Sequence, residues 1–286
     1  MPVERDEVSG RNTTGHEWDG IKELDTPVPW ASRWALRIAI LYSLGYWIFF
    51  PAWPYASDFT RGVLGYSSRA TVLEKVEKAA TQRDAFAADL LDGNLAELAD
   101  DPAIRAKYEG SAAILARDNC AMCHGRDLGG QTGFPNLRDD HWLWSGDIEE
   151  IATTLRFGIN SGHDEERSAE MLAFGAQQML DRADIRAVTD YVLSLSGQPH
   201  EGELVETGAA VFEENCAACH GDEGEGGLES GAPSLTDKAW IYGGDRDAIY
   251  RTIWSGRKGV MPAWSDRLSE ADIRKLALYV NWQRNE

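Results

Sequence analysis

Cysteine is scarce in this chain: four residues in 286, all of them in two Cys-x-x-Cys pairs, so no thiol is left for a structural disulfide. Positive charge is scarce too. Twenty-eight Lys and Arg face 47 Asp and Glu, for a formal charge of −19, which argues against nucleic acid, because a duplex needs many Lys/Arg contacts to displace its counterions. A basic protein surface is the expected docking partner, although solubility alone would account for the acidity equally well. The first thirty residues hold no apolar run, so no ordinary cleavable signal is expected. Paired carboxylates, a Ser-His arrangement and a phosphate-binding glycine loop are also missing, which removes the common hydrolytic and phosphoryl-transfer chemistries. With 43% hydrophobic and 26% charged residues, the chain has the composition of folded protein.

The charge is uneven. Residues 1–30 carry −4, residues 31–54 carry +2 and the remainder −17. Residues 31–54 contain the single long apolar stretch, Trp34 to Trp53, uncharged from Ile38 onward. Twenty residues at about 1.5 Å rise give roughly 30 Å, one hydrocarbon thickness. Arg33 and Arg37 can reach headgroups from one end, Trp30, Trp34, Trp47 and Trp53 cluster toward the interfaces, and Pro51 and Pro54 end the segment. One transmembrane helix is therefore expected. The flanking Lys/Arg are nearly balanced and leave its orientation open. Residues 55–107 read as a helix-favouring connector broken at Gly93-Asn94 and Asp101-Pro102.

From residue 108 the chain repeats itself. Cys120-Ala-Met-Cys-His124 and Cys216-Ala-Ala-Cys-His220 lie 96 positions apart. Pro135-Asn-Leu137 then matches Pro233-Ser-Leu235, Trp142 to Asp147 matches Trp240 to Asp245, and Gly158 matches Gly256. Each copy closes with an amphipathic helical stretch: Ile185, Val188, Val192 and Leu195 in one, Ile273, Leu276 and Val280 in the other. Ser269 and Asp272 form a capping-box start. Two modules are expected, 108–197 and 198–286, each packing its first helix on its last around a flat cofactor.

In Cys-x-x-Cys-His the two sulfurs sit one helical turn apart, which suits thioether attachment of a haem, and the adjacent His can coordinate its iron. A zinc site would want four ligands in tetrahedral array, and neither module offers a second Cys-x-x-Cys. A thioredoxin-like dithiol would want a βαβ context. The expected cofactors are thus two covalently bound haem c groups, held by Cys120, Cys123 and His124 and by Cys216, Cys219 and His220. A thioether sulfur is a common sixth ligand. Met261 is the only Met of the second module, and alignment of Met171-Leu-Ala-Phe174 with Met261-Pro-Ala-Trp264 selects Met171 for the first. Met122 lies inside the haem-binding pentapeptide, Met179 reads as a core residue, and His141 and His163 read as surface or loop residues. Pro135 and Pro233 stand where a backbone carbonyl can take the second ring proton of each ligand His. With both irons saturated there is no open position for a substrate, so outer-sphere electron transfer follows and no catalytic residue is expected. A free-standing carrier, a dehydrogenase cytochrome subunit, and a haem sensor or peroxidase with a vacant iron position remain rival readings.

The whole chain resembles the dihaem subunit of cbb3-type cytochrome c oxidases, the CcoP or FixP family. The segment His16-Glu-Trp-Asp-Gly-Ile-Lys-Glu-Leu-Asp-Thr-Pro27, followed by a single span ending Phe49-Phe-Pro-Ala-Trp53, is what narrows the family beyond haem c. The resemblance implies a mainly α fold, with one N-terminal transmembrane helix and two tandem class I cytochrome c-like domains. It also implies a bacterial inner-membrane location with a cytoplasmic amino terminus and periplasmic haem domains. The implied partners are a haem-copper catalytic subunit, a monohaem subunit and a cytochrome c donor. Carried over residue by residue, it pairs Cys120, Cys123 and His124 with Met171, and Cys216, Cys219 and His220 with Met261. Leu172 departs from the family's Pro after the first axial Met.

Overall fold

A computed structural model describes residues 2–284. They are mainly helical and fall into two compact units, one ending at Thr81 and the other beginning at Gln82.

The first unit opens with an antiparallel hairpin, β1 (Thr13–Trp18) and β2 (Ile21–Leu24), in which Trp18 pairs with Ile21. The two-residue loop Asp19-Gly20 has φ of 49° and 85°, the left-handed pair that a right-twisted hairpin needs. Helix α1 (Trp30–Phe49) follows; its N-terminal neighbour is Pro29, its C-terminal one Phe50, and none of its side chains is buried. A short hairpin, β3 (Pro54–Tyr55) with β4 (Asp58–Phe59), turns the chain back, so that Val63 N–H and Leu64 N–H donate to the Ile48 and Phe49 carbonyls. A helix of the expected twenty residues is thus present, set four residues earlier than the apolar stretch Trp34 to Trp53 suggests. Among the described residues, however, no helix is long and apolar enough to cross a membrane on mean hydropathy over eighteen residues. In α1, Arg33 and Arg37 in the first two turns dilute its apolar content.

Helix α2 (Ser68–Phe86) leads into the second unit, where α3 (Ala88–Asp92), α4 (Leu95–Ala99) and α5 (Pro102–Asn119) follow. Asn94 caps α4 by accepting from Ala96 and Glu97 N–H, and Asp101 caps α5, with Pro102 in its first turn. The stretch read as a connector therefore changes character at Ala87. From there Leu90, Leu95, Ile104 and Tyr108 are buried in a core.

The remaining elements are α6 (Ala121–His124), α7 (Ile148–Phe157), α8 (Arg182–Leu195), α9 (Gly202–Asn215), α10 (Ala217–His220), α11 (Arg246–Ser255) and α12 (Glu270–Arg284). The Asp residues before α7, α8 and α11 each accept N–H groups of the first turn. At α12, Ser269 Oγ accepts from Asp272 N–H as expected, while the Asp272 carboxylate takes the Ser269 hydroxyl proton at 2.8 Å.

The closing helices change places. The amphipathic face of α8, with Ile185, Val188, Val192 and Leu193, packs with Phe212 of α9 and with Ile249 and Ile253 of α11. That of α12, with Ile273, Leu276, Leu278, Val280 and Trp282, packs with Tyr108 and Ala116 of α5 and Ile151 and Leu155 of α7. Each core therefore joins the front of one sequence repeat to the closing helix of the other. Long-range bonds fix the exchange: Arg274 donates to the Leu90 carbonyl at 2.5 Å and to that of Gly93, and Trp282 Nε1 to the Ala99 carbonyl at 2.9 Å. On the other side Asp190, fully buried on α8, accepts from Glu201 N–H at 2.6 Å and from Arg246 of α11.

Candidate metal centres

Both Cys-x-x-Cys-His segments follow a long helix through a single turn, with Cys120 and Cys216 accepting the chain as it leaves α5 and α9. In each, the His N–H bonds back to the first Cys carbonyl, at 2.9 Å for His124 and 3.0 Å for His220. The His ring is then aimed by its Nδ1, which lies 2.9 Å from the Pro135 carbonyl for His124 and 2.9 Å from the Pro233 carbonyl for His220. A carbonyl can only accept, so Nδ1 carries the proton and Nε2 keeps its lone pair, the form a metal needs. Burial lowers both imidazoles below their ordinary pKa, against a smaller opposing effect of the proline carbonyl. Both rings are neutral at pH 7. Burial, followed by the neighbouring thiol of each pair, pushes the Cys120 and Cys216 thiols up to about 11.

The methionines are where the structure departs from the alignment. Met261 packs against the core that contains Cys120, Leu137 and α7, whereas Met171 packs against the core that contains Cys216, Leu235 and α11. The structure thus sets Met261, not Met171, beside the core of Cys120, and Met171, not Met261, beside that of Cys216: each methionine packs with the core of the other repeat. Two reciprocal backbone bridges carry them across. Ile159 and Met261 exchange N–H···O bonds of 2.9 Å each, and Met171 and Arg257 exchange bonds of 2.8 and 3.0 Å.

Gly158 and Gly256, matched in the repeat, explain how the strands come so close. Gly158 has φ 73° and ψ −169°, Gly256 φ 68° and ψ 179°, a region open essentially to glycine alone. A Cβ at Gly158 would stand 2.4 Å from the Met261 carbonyl oxygen, and one at Gly256 would stand 2.4 Å from that of Met171. Sequence comparison aligned these glycines without giving them a role.

The other candidates are engaged elsewhere. His141 Nδ1 pairs with the Asp237 carboxylate at 2.9 Å, and His163 lies against Phe157 while its Nδ1 accepts from Glu165 N–H at 3.0 Å. Met122 is 89% exposed. Met179, expected in the core, is 49% exposed; Leu180 beside it takes the inward place.

The donor set fits a c-type haem in each module: two thiols one turn apart, a neutral imidazole with Nε2 free, and a thioether in the same apolar cluster. A cavity of about 840 Å³ lies between the modules, walled by the loops after each Cys-x-x-Cys-His, among them Pro135, Trp142, Pro233 and Trp240. The ligand residues themselves do not line it. Trp142 Nε1, on its wall, is the one buried side-chain polar atom without a hydrogen-bond partner among the described residues, as expected of a donor that takes its acceptor from a bound group.

Known proteins match the chain throughout. A model of the N-terminal domain of cytochrome oxidase-cbb3, FixP, matches residues 10–57, a cytochrome c model matches 109–196, and a model of cytochrome c oxidase, cbb3-type, subunit III matches 203–280. The FixP subunit of the cbb3-type cytochrome c oxidase of Bradyrhizobium sp. (strain ORS 278) is 47% identical over 282 residues, covering 97% of this chain and 96% of its own length. The CcoP subunit of Cereibacter sphaeroides is 46% identical over 270 residues, covering 94% and 93%, and that of Rhodobacter capsulatus is 42% identical over 290 residues, covering 98% and 97%. With tandem cytochrome c domains behind a FixP-type amino terminus, this chain belongs to the FixP/CcoP family of cbb3-type cytochrome c oxidase subunits.

Proposed function

We propose that the chain is a membrane-anchored dihaem relay that passes single electrons from a cytochrome c donor to the haem-copper core of a cbb3-type oxidase. One haem is held by Cys120, Cys123 and His124 with Met261 as its sixth ligand, the other by Cys216, Cys219 and His220 with Met171. The observation that carries this reading is the doubled motif in which each histidine rests on a proline carbonyl at 2.9 Å, a neutral ligand aimed by its second nitrogen. Bound there, a haem supplies a one-electron couple. The protein's part is to saturate the iron, keep it apolar and exclude substrate.

Helix α1 is the proposed anchor, single-pass in a bacterial inner membrane, with the amino terminus cytoplasmic and the acidic body periplasmic. Its support is twenty residues, about 30 Å, with no charge after Arg37 and every side chain unburied. The arginines lie at the end where they can reach headgroups. A haem-copper catalytic subunit and a monohaem cytochrome subunit are the proposed partners. Intact mass and a pyridine haemochrome assay on the purified chain are expected to give two covalently bound haems; any other number overturns the relay. Co-purification with a haem-copper subunit separates it from a free-standing carrier.

A further inference from the structure

The two modules differ sharply in surface charge. Residues 201–237, around the second Cys-x-x-Cys-His, contain ten Asp or Glu and no Lys or Arg, whereas the matching residues 105–139 contain four Asp or Glu and five Lys or Arg. Glu213 and Glu214 stand at the end of α9, immediately before Cys216, and Asp222, Glu223, Glu225 and Glu229 occupy the loop after His220. All six are exposed, and none forms an ion pair among the described residues. In the same segment lie Leu228, 58% exposed, and Cys219, the one exposed cysteine of the four; Gly227, next to Leu228, lies against the Cys219 carbonyl. Around the first motif, by contrast, Arg117 and Arg126 are exposed beside Asp118 and Asp127.

None of these six carboxylates has a cationic partner among the described residues, Glu225 accepting only from Glu223 N–H at 3.0 Å, and like charges gathered in one segment repel one another. What they provide is a focused negative field around an apolar centre, the arrangement that speeds encounter with a positively charged partner. Building on the relay reading above, we infer that the face around Cys219 and Leu228 is the entry port for a small basic electron-carrier protein, one whose exposed redox edge is ringed by lysines. Electrons then enter at the module of Cys216 and leave through that of Cys120. The step is a single electron given up by the reduced carrier and taken by the oxidised module, with no bond made or broken and no proton moved.

The test uses the full, haem-loaded chain in detergent with ferrous mitochondrial cytochrome c as the lysine-rich probe, followed by stopped flow. The wild-type second-order rate is expected to fall steeply as salt rises. The variant Glu213→Lys/Glu214→Lys/Asp222→Lys/Glu223→Lys should lose tenfold or more at low salt, within the 10- to 1,000-fold span of electrostatic steering. Glu109→Lys/Asp118→Lys/Asp127→Lys/Asp140→Lys, the same charge change around the first motif, should lose less than twofold. Equal losses in the two variants, or a wild-type rate indifferent to salt, would overturn the port. Chains that carry anything but two haems count against the relay itself; loaded chains with unaltered kinetics count against the port alone.

Discussion

Leucine in place of Met261 separates the two possible pairings of haem and sulfur. The exchange nearly conserves volume, so it costs less than about 1.5 kcal/mol in a packed core, well under the roughly 5–15 kcal/mol that stabilises a typical domain. The fold survives, and what is removed is the proposed ligand. Axial ligand identity spans about 0.8 V of reduction potential, so loss of the thioether is expected to lower one couple by on the order of 100 mV, or about 2.3 kcal/mol, and to open that ferrous iron to carbon monoxide. Assignment needs a chain with one covalent haem. In a Cys216→Ala/Cys219→Ala background, the haem left on Cys120 and Cys123 should respond to Met261→Leu and ignore Met171→Leu. In a Cys120→Ala/Cys123→Ala background the responses should reverse. A spectrum on Cys120 and Cys123 that shifts with Met171→Leu and stays unmoved by Met261→Leu would refute the exchanged arrangement, because it requires each methionine to remain with its own repeat.

Two further outcomes follow from the same geometry. Gly158→Ala forces a side chain into a glycine-only conformation and onto the Met261 carbonyl, at about 3 kcal/mol; thermal unfolding should come earlier, and carbon monoxide should bind the haem on Cys120, with Gly256→Ala doing the same to the other. Burial would raise the Asp190 carboxyl, but hydrogen bonds from Arg246 and Glu201 N–H outweigh it and hold the group below the usual carboxylate range. A depressed folded pKa means stability present above the unfolded value of about 3.9 and lost as pH falls through the folded one. Asp190→Asn should therefore cost about 2 kcal/mol at pH 7 and flatten the acid limb of a melting-temperature profile; an unchanged acid limb would remove Asp190 from the account.

The motifs were legible because they are local: a haem needs two sulfurs one turn apart and a histidine beside them, and the chain writes that into five consecutive residues, twice. The second-nitrogen partners, Pro135 and Pro233, were legible for the same reason. Helix α1 was legible as a helix of twenty residues, while the arginines that lower its apolarity weaken its reading as a span. The exchange of α8 and α12 was not legible. Both helices carry the same apolar periodicity, so each satisfies the pattern of either core, and periodicity says nothing about which copy a helix meets. The residues that decide it, Arg274 reaching Leu90 and Gly93, Trp282 reaching Ala99, and Asp190 reaching Arg246, act across long sequence separations with no local signature. The hairpin at Thr13–Leu24 has a local signal in Asp19-Gly20. Met179 was misplaced by one position, since Leu180 faces inward instead.

The crossing of the two methionine strands also sets a timetable for maturation. Met261 lies 137 residues beyond His124, so the core that takes in Met261 and α12 must wait for nearly the whole polypeptide to emerge before it can close. Shortening the tail would injure the earlier core and spare the later one.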